Sequence, residues 1–227
     1  MWFSPLAAFA AMGFMLGQFG LTVVWHMLGL VFTMLLTCIF FIVAVLGAMA
    51  WRLGFNVFKF LRFIGDEILL VFATSSSESA LGPIMKKLKL AGVAPSVVGI
   101  VIPAGYSFNL DGTNIYLALV IAFLSQAFNI ELAWDEHLLI LMVLMVTSKG
   151  AAGVSGSGFV VLAGTLAAMN GKIPVVTIAI LLGIDKIMSE LRSTTNLVGN
   201  SMAAVVVAYL EKQLDVERFH KVLDKEA

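Results

Sequence analysis

The chain has 227 residues with a formal net charge of zero at pH 7; 60% of its residues are hydrophobic and 12% are charged. A soluble domain carries about a quarter charged residues, so this composition excludes an ordinary soluble protein and predicts a polytopic membrane protein in a lipid bilayer. The zero net charge also argues against a nucleic-acid partner.

The first part of the chain is almost entirely apolar. No Lys, Arg, Asp or Glu precedes Arg52, and an apolar stretch of about 20 residues spans a bilayer as a helix. Residues 1–20 are interpreted as part of a scaffold helix, and residues 21–52 as a membrane-spanning helix. Basic residues then cluster at 52–62 and at 86–89. Because Lys and Arg concentrate on the cytoplasmic side of bilayers, both clusters are expected to face the cytoplasm.

The segment between the two basic clusters is too short to cross the membrane twice. Two crossings need roughly 40 residues, so residues 66–90 are predicted to form a re-entrant helical hairpin. Its tip, residues 74–79, holds four serines, a threonine and a glutamate. A tip this polar survives at membrane depth only when it is buried in protein or lines a watery cavity.

The next apolar span, residues 97–130, is interrupted by Pro103, Gly105 and the turn-forming sequence Asn109-Leu110-Asp111-Gly112-Thr113. Proline and glycine weaken a continuous helix, and an Asp-Gly pair favours a turn. The span is therefore predicted to be a broken helix. The acidic loop that follows, residues 131–136, is expected to be extracellular.

A second hairpin and a long helix complete the predicted order. Residues 138–170 combine two apolar arms with a Ser- and Gly-rich tip, residues 175–210 form the last helix, and residues 211–227 form a cytoplasmic tail. The fold class is thus all-α, with residues 21–210 as one transport domain. Its two hairpins enter from opposite faces of the membrane, and such an inverted repeat is typical of secondary transporters.

The last helix carries polar residues at intervals of three or four, which places them on one helical face. They are Asp185, Ser189, Arg192, Asn196 and Asn200. An arginine at the centre of a membrane helix costs about 2.5–3.5 kcal/mol, so it needs a partner. One interpretation is a fixed internal ion pair with Asp185 or Glu190. The favoured one is an anionic ligand, because the guanidinium fork can hold a carboxylate through two hydrogen bonds.

The broken helix and the hairpin tips offer further polar groups. Asn109, Asp111 and Thr113 could form an ordinary turn, but within apolar surroundings their oxygens and the Gly105 carbonyl suit a hard cation or a proton. Opposed half-helix ends at the tips can hold carboxylate oxygens with free backbone N–H groups.

Other kinds of site are not expected. The histidines, His26, His137 and His220, lie far apart with no cysteine or carboxylate at metal-ligand spacing, so neither a metal site nor a cofactor is predicted. The single cysteine, Cys38, excludes an internal disulfide framework. An intramembrane hydrolase that uses Ser148 or Ser76 is a rival interpretation from another class.

At these motifs the sequence resembles the dicarboxylate/amino acid:cation symporter family, and within it most closely the bacterial C4-dicarboxylate transport proteins. The resemblance rests on four runs in the family's order, at residues 74–81, 102–113, 148–154 and 183–200. It implies a symporter rather than an enzyme, in the bacterial inner membrane, assembled as a homotrimer with an elevator-type transport domain. It also implies that the chain is the carboxyl-terminal half of a longer protein, so a fragment that does not transport alone is an alternative.

The resemblance assigns roles to individual residues. Those expected to bind substrate are Ser76, Ser77, Thr113, Val154, Gly158, Ser189, Arg192, Ser193 and Asn196. Those expected to couple a cation are Gly105, Asn109, Asp111, Asp185, Asn196 and Asn200.

Two positions refine the expected substrate and ion. Amino-acid carriers of the family hold an Asp where this chain has Ser189, so a dianion without an ammonium group, such as succinate, fumarate or malate, fits better. Sodium-coupled members often hold an Asp where this chain has Asn200. The neutral amide favours protons, with Asp111 and Asp185 as carriers. A sodium-coupled glutamate or aspartate symporter of the same fold is the alternative.

Overall fold

A computed structural model describes residues 20–150, 157–168, 173 and 175–225, together with positions 9, 10, 13 and 17. This part of the chain is predominantly helical and contains no strand; Val93 and Leu214 form one isolated antiparallel bridge. The predicted all-α class is therefore confirmed for the described residues. Most of the predicted scaffold helix, and residues 151–156 within the tip of the second hairpin, lie outside them.

The helical elements follow one another with short connections. In chain order they are α1 (Thr22–Phe40), a π-helical turn (Phe41–Leu46), α2 (Gly47–Arg52), α3 (Val57–Phe63), α4 (Gly65–Thr74), a 3-10 turn (Ser77–Ala80), α5 (Leu81–Leu90), α6 (Pro95–Phe108), α7 (Asp111–Ala127), α8 (Trp134–Thr147), a 3-10 turn (Ser148–Gly150), α9 (Ser157–Ala168), a 3-10 helix (Val175–Gly183), α10 (Asp185–Leu210) and α11 (Val216–Lys225).

Two stretches of the described chain, Val24–Arg52 and Pro95–Ala127, are helical, long and apolar enough to cross a membrane. The first presents large apolar side chains outward: Trp25 is 73% exposed, Phe32 60% and Phe40 67%. A contiguous apolar face of this kind is unusual on a soluble monomer and suits contact with lipid.

The long helix α10 lies at the centre of the molecule and packs against α4, α6 and α7. Two groups of buried apolar side chains flank it. One, around Val71, Ile84 and Met202, joins α4, α5 and α6 to the second half of α10. The other, around Leu117 and Leu166, joins α1, α7 and α9 to its first half. The polar face of α10 is thereby enclosed by other helices.

The last α-helix begins later than residue 175, where the apolar run of the predicted helix starts. Residues 175–183 form a tighter 3-10 helix, and α10 starts only at Asp185, after Ile184 at φ −114° and ψ −7°. The run is rich in β-branched residues, which lose side-chain freedom in an α-helix. The last helix is therefore divided near Ile184 rather than continuous from residue 175.

The tail, residues 211–227, contains a short helix in addition to its charged residues. This helix, α11, is amphipathic and buries Phe219 and Leu223. The ring of Phe219 packs edge-on against Phe55, with centroids 5.2 Å apart. On the exposed side, Lys59 Nζ donates to Asp224 Oδ1 at 2.6 Å, and this hydrogen bond lowers the pKa of the Asp224 carboxyl. The tail is thus docked on α3.

Helices α4 and α5 form a helical hairpin. α4 ends where Ser75 adopts the left-handed conformation, with φ +53°, and the chain then reverses direction. At the open end, Lys87 Nζ of α5 lies 2.9 Å from Glu67 Oε2 and 3.4 Å from Asp66 Oδ2 of α4. These ion pairs join the two arms at their base.

The two carboxylates at this base differ in burial, which predicts different effects on stability. The Glu67 side chain is 8% exposed and that of Asp66 is 92% exposed. Glu67→Ala is expected to cost about 3 kcal/mol, because it leaves a partly buried ammonium without its main counter-charge. Asp66→Ala, the matched control, is expected to cost about 0.5 kcal/mol or less. Thermal unfolding of the purified complete protein measures both; equal shifts would contradict the assignment.

The break in the predicted broken helix is only two residues long, shorter than the five-residue turn sequence at 109–113. α6 continues through Pro103, and only Asn109 (φ −114°, ψ 71°) and Leu110 (φ −105°, ψ 67°) depart from helical geometry. Asp111 already belongs to the first turn of α7. The span is therefore two half-helices whose ends meet at a two-residue break, where α6 leaves carbonyl groups and α7 leaves N–H groups without intrahelical partners.

Candidate functional site

Arg192 of α10 lies in an enclosed position. Its side chain is 3% exposed, and Nη2 donates to Ser189 Oγ at 3.4 Å. The guanidinium carbon lies 5.5 Å from the ring centroid of Tyr116 on α7, within the range of a cation–π interaction. A Cβ added at Gly158 of α9 would collide with Arg192 Nη1 and approach the Tyr116 ring to 3.0 Å. Three helices therefore surround the guanidinium, and α9 approaches it this closely only because residue 158 is glycine.

The acidic residues considered as internal partners of Arg192 have contacts of their own. Glu190 Oε1 lies 3.2 Å from Lys186 Nζ in an ion pair. Asp185 Oδ1 accepts a long hydrogen bond, at 3.5 Å, from the hydroxyl of Tyr116. Tyr116 thus contacts both Arg192 and Asp185, which ties two predicted site residues to one aromatic side chain that the sequence analysis did not single out.

Asn196, one turn further along α10, caps the start of α7. Its Oδ1 accepts from the backbone N–H of Gly112 at 2.8 Å and of Thr113 at 3.3 Å. Its Nδ2 donates to Thr113 Oγ1 at 3.1 Å. Helix N-termini are usually capped by their own preceding residue, whereas here the cap comes from another helix. The cap joins the start of α7 to α10. It also brings Thr113 and Asn196, which are both predicted to bind substrate, into direct contact.

The predicted cation residues also form a cluster. Asn109 Nδ2 donates to Asp111 Oδ2 at 3.3 Å and to Asn200 Oδ1 at 3.2 Å. A Cβ at Gly105 would collide with Asn200 Oδ1, and a Cβ at Gly199 would collide with Asp111 Oδ2. The two glycines therefore permit the close approach of α10 to the break. Asn200 Nδ2 is buried and has no hydrogen-bond partner among the described residues.

The tip of the first hairpin also borders α10. Lys186 Nζ of α10 donates to Ser75 Oγ, and the Ser76 carbonyl accepts from Ser79 Oγ at 2.7 Å. Ser77 is fully buried, and its hydroxyl has no partner within the described chain. The Ser77 hydroxyl is thus an orphaned polar group at the hairpin tip.

The remaining predicted site residues divide into two cases. Ser193 is buried, but its hydroxyl donates to the Ser189 carbonyl at 2.6 Å, within its own helix. Its role in binding therefore stays a prediction. Val154 lies outside the described residues. A cavity of about 730 Å³ between α1 and α7, bordered by Trp25 and Phe123, is lined by none of the predicted site residues.

Three residues of the site were missed by the sequence analysis: Tyr116, Lys186 and Lys149. Lys149 donates from Nζ to the carbonyl of Phe108, at 2.6 Å. A sequence signal existed for Lys149, which is the only charged residue between Glu136 and Lys172. Tyr116 gave no such signal, because an aromatic residue in an apolar helix is most often lipid-facing or core.

The described residues form an all-helical fold with two apolar helical stretches of membrane-spanning length and a buried polar site built around two half-helices and a central helix. The sequence matches the model of the sodium:dicarboxylate symporter family over residues 1–210, and the chain belongs to that family. The family is one of membrane-embedded symporters and not of enzymes.

The similar proteins include several bacterial transporters. The chain is 50% identical over 222 residues to C4-dicarboxylate transport protein 2 of Bradyrhizobium diazoefficiens and 52% identical over 222 residues to the C4-dicarboxylate transport protein of Rhodopseudomonas palustris. It is 54% identical over 224 residues to the C4-dicarboxylate transport protein of a Geobacter species. These matches cover 98–99% of this chain but 50–51% of the relatives, so the chain spans about half the length of the curated relatives it matches.

Proposed function

We propose that the complete protein is a secondary transporter that carries C4-dicarboxylates, such as succinate, fumarate or malate, together with coupling cations. The enclosed guanidinium of Arg192 carries this proposal. It lies against Gly158 and Tyr116 on the same face of α10 as Asn196. A guanidinium in such a place can hold a carboxylate through two charge-assisted hydrogen bonds. The names of the relatives point to the same substrate class.

The neighbour of Arg192 supports a substrate without an amino group. Ser189 is 2% exposed and places a neutral hydroxyl beside the guanidinium. An amino acid would bring an ammonium group that needs a carboxylate at this position, and leaving it unpaired costs about 1–3 kcal/mol. A dicarboxylate avoids that cost, and the orphaned hydroxyl of Ser77 on the hairpin tip is a donor for its second carboxylate.

The cluster at the helix break supports protons as the coupling ions. Asn109 contacts both Asn200 and Asp111 there; the two asparagines are neutral amides, and of the three only Asp111 is acidic. A cluster with one carboxylate binds a sodium ion weakly, whereas that carboxylate can carry a proton. Asp185, which accepts from Tyr116, is the second proposed carrier.

We also propose that both helical hairpins are re-entrant and enter the membrane from opposite faces. The arms α4 and α8 have 10 and 14 residues, so at 1.5 Å per residue they reach about 15 and 21 Å, less than the hydrocarbon core of about 30 Å. The transport domain, residues 21–210, would move as an elevator within a homotrimer of the bacterial inner membrane, with the tail on the cytoplasmic side.

The test of the proposed function is uptake of radiolabelled solutes by vesicles that contain the complete protein. A proton gradient is expected to drive succinate accumulation, whereas a sodium gradient alone drives little, and labelled glutamate is not accumulated under either. Vesicles without the protein serve as the control. Sodium-driven glutamate uptake would support the amino-acid alternative, and the absence of any uptake would contradict transport.

A further inference from the structure

Lys149 places a positive charge at the carboxyl end of a half-helix. Its Nζ donates to the backbone carbonyl of Phe108 at 2.6 Å, and Phe108 is the last residue of α6. The final carbonyls of a helix have no intrahelical donors, and the helix dipole makes this end negative. The ammonium therefore satisfies a carbonyl that the break at Asn109 leaves open.

The same position is suited to a free cation. In secondary transporters, unwound carbonyls and the carboxyl ends of half-helices coordinate the coupling ions near the middle of the membrane. The Phe108 carbonyl adjoins the break, and the side chains of Asn109 and Asp111, which follow it in the chain, contact each other at 3.3 Å. A lysine ammonium is a compact point charge with three hydrogen-bond donors, and so resembles an alkali-metal cation more closely than a guanidinium does.

Lys149 is exposed within the described part of the chain, but its sequence surroundings differ from those of a surface lysine. It is the only charged residue between Glu136 and Lys172, in an otherwise apolar stretch, where an ionisable side chain is costly and usually functional. It sits in the 3-10 turn that follows α8, so α8 holds it at a definite place. The adjacent Ser148 hydroxyl is buried and has no partner among the described residues.

We propose that the Lys149 ammonium is a tethered cation: it occupies, at the carboxyl end of α6, a place that an alkali-metal cation would otherwise take. The inference rests on the proposed function and deepens it. A transporter that carries this charge on its own chain needs no free cation at that place, which agrees with coupling to protons. Removal of the ammonium leaves the carbonyl open to sodium or lithium.

The test uses three variants of the complete protein: Lys149→Ala, Lys149→Arg and Lys89→Ala. The last is the control, because it also removes one exposed positive charge. Thermal unfolding is measured in sodium, lithium and choline chloride at equal ionic strength. The thermal unfolding midpoint of Lys149→Ala is expected to be several degrees higher in sodium or lithium chloride than in choline chloride. This rise should reach a plateau as the concentration of the alkali-metal salt increases. The wild type, Lys149→Arg and Lys89→Ala are expected to show no such rise. If the alanine variant does not fold, Lys149→Met, which keeps the chain's bulk, replaces it.

Succinate uptake gives the second measurement. Uptake by Lys149→Ala is expected to fall at least tenfold in choline and to recover with sodium or lithium. Equal midpoints of this variant in all three salts, or equal rises in all four proteins, would overturn the proposal. Because unfolding is measured without substrate, a salt-dependent midpoint in a protein that takes up no succinate would refute the proposed function and leave the tethered cation standing.

Discussion

Arg192→Ala is expected to abolish measurable succinate uptake by the complete protein and to weaken succinate binding by two orders of magnitude or more. A hydrogen bond to a charged group contributes about 1.5–3 kcal/mol, and two such bonds in an enclosed site correspond to at least a hundredfold in affinity, at about 1.4 kcal/mol per tenfold. Initial rates of labelled uptake and equilibrium binding to the purified protein measure the two effects.

Two control variants make this result specific. Arg192→Lys keeps the charge but loses the planar fork, so it is expected to retain weak binding with partial uptake. Arg52→Ala removes an exposed arginine at the end of α2 and is expected to leave succinate affinity unchanged. Unaltered affinity in Arg192→Ala would refute the binding chemistry. An experimental structure in which Arg192 is locked to Asp185 both with and without succinate would refute it equally.

Gly112→Ala is expected to abolish uptake by a different route, through the packing of α7 on α10. A Cβ at this position would collide with the backbone carbonyl of Arg192 and lie 3.0 Å from its Cα and carbonyl carbon. Backbone atoms cannot rotate away, so the two helices must separate, at a cost of about 1–3 kcal/mol or more. The separation also breaks the cap that Asn196 provides to the Gly112 N–H. Thermal unfolding and succinate uptake report the two consequences.

The matched control is Gly99→Ala in α6, where an added Cβ has nothing within 4 Å. In a helix this change removes conformational freedom from the unfolded chain, so it is expected to be neutral or to stabilise by up to about 1 kcal/mol. Its uptake should match that of the wild type. The same loss of stability in both variants would show that the close approach at Gly112 does not constrain the helices.

Much of the fold was predictable because the signals involved are local. Apolar runs of membrane length, basic clusters and polar tips are properties of contiguous residues, so they indicate helices, hairpins and a break before any packing is known. The boundaries were less predictable. The 3-10 segment at 175–183, the two-residue break at Asn109–Leu110 and the helix α11 depend on competing local preferences and on apolar side chains that pack against distant helices.

The sequence by itself determined the class of protein, the family and the polar face of α10, because hydropathy and the 3.6-residue period are carried by the chain without reference to its packing. Tertiary packing determined the partners on that face. Asn196 caps a helix 83–84 residues away, Lys149 meets Phe108 across 41 residues, and Tyr116 meets Asp185 across 69. No spacing rule predicts such pairs, since they arise only when separate helices approach closely enough for their polar groups to satisfy one another, as Gly112 allows at the cap that Asn196 provides.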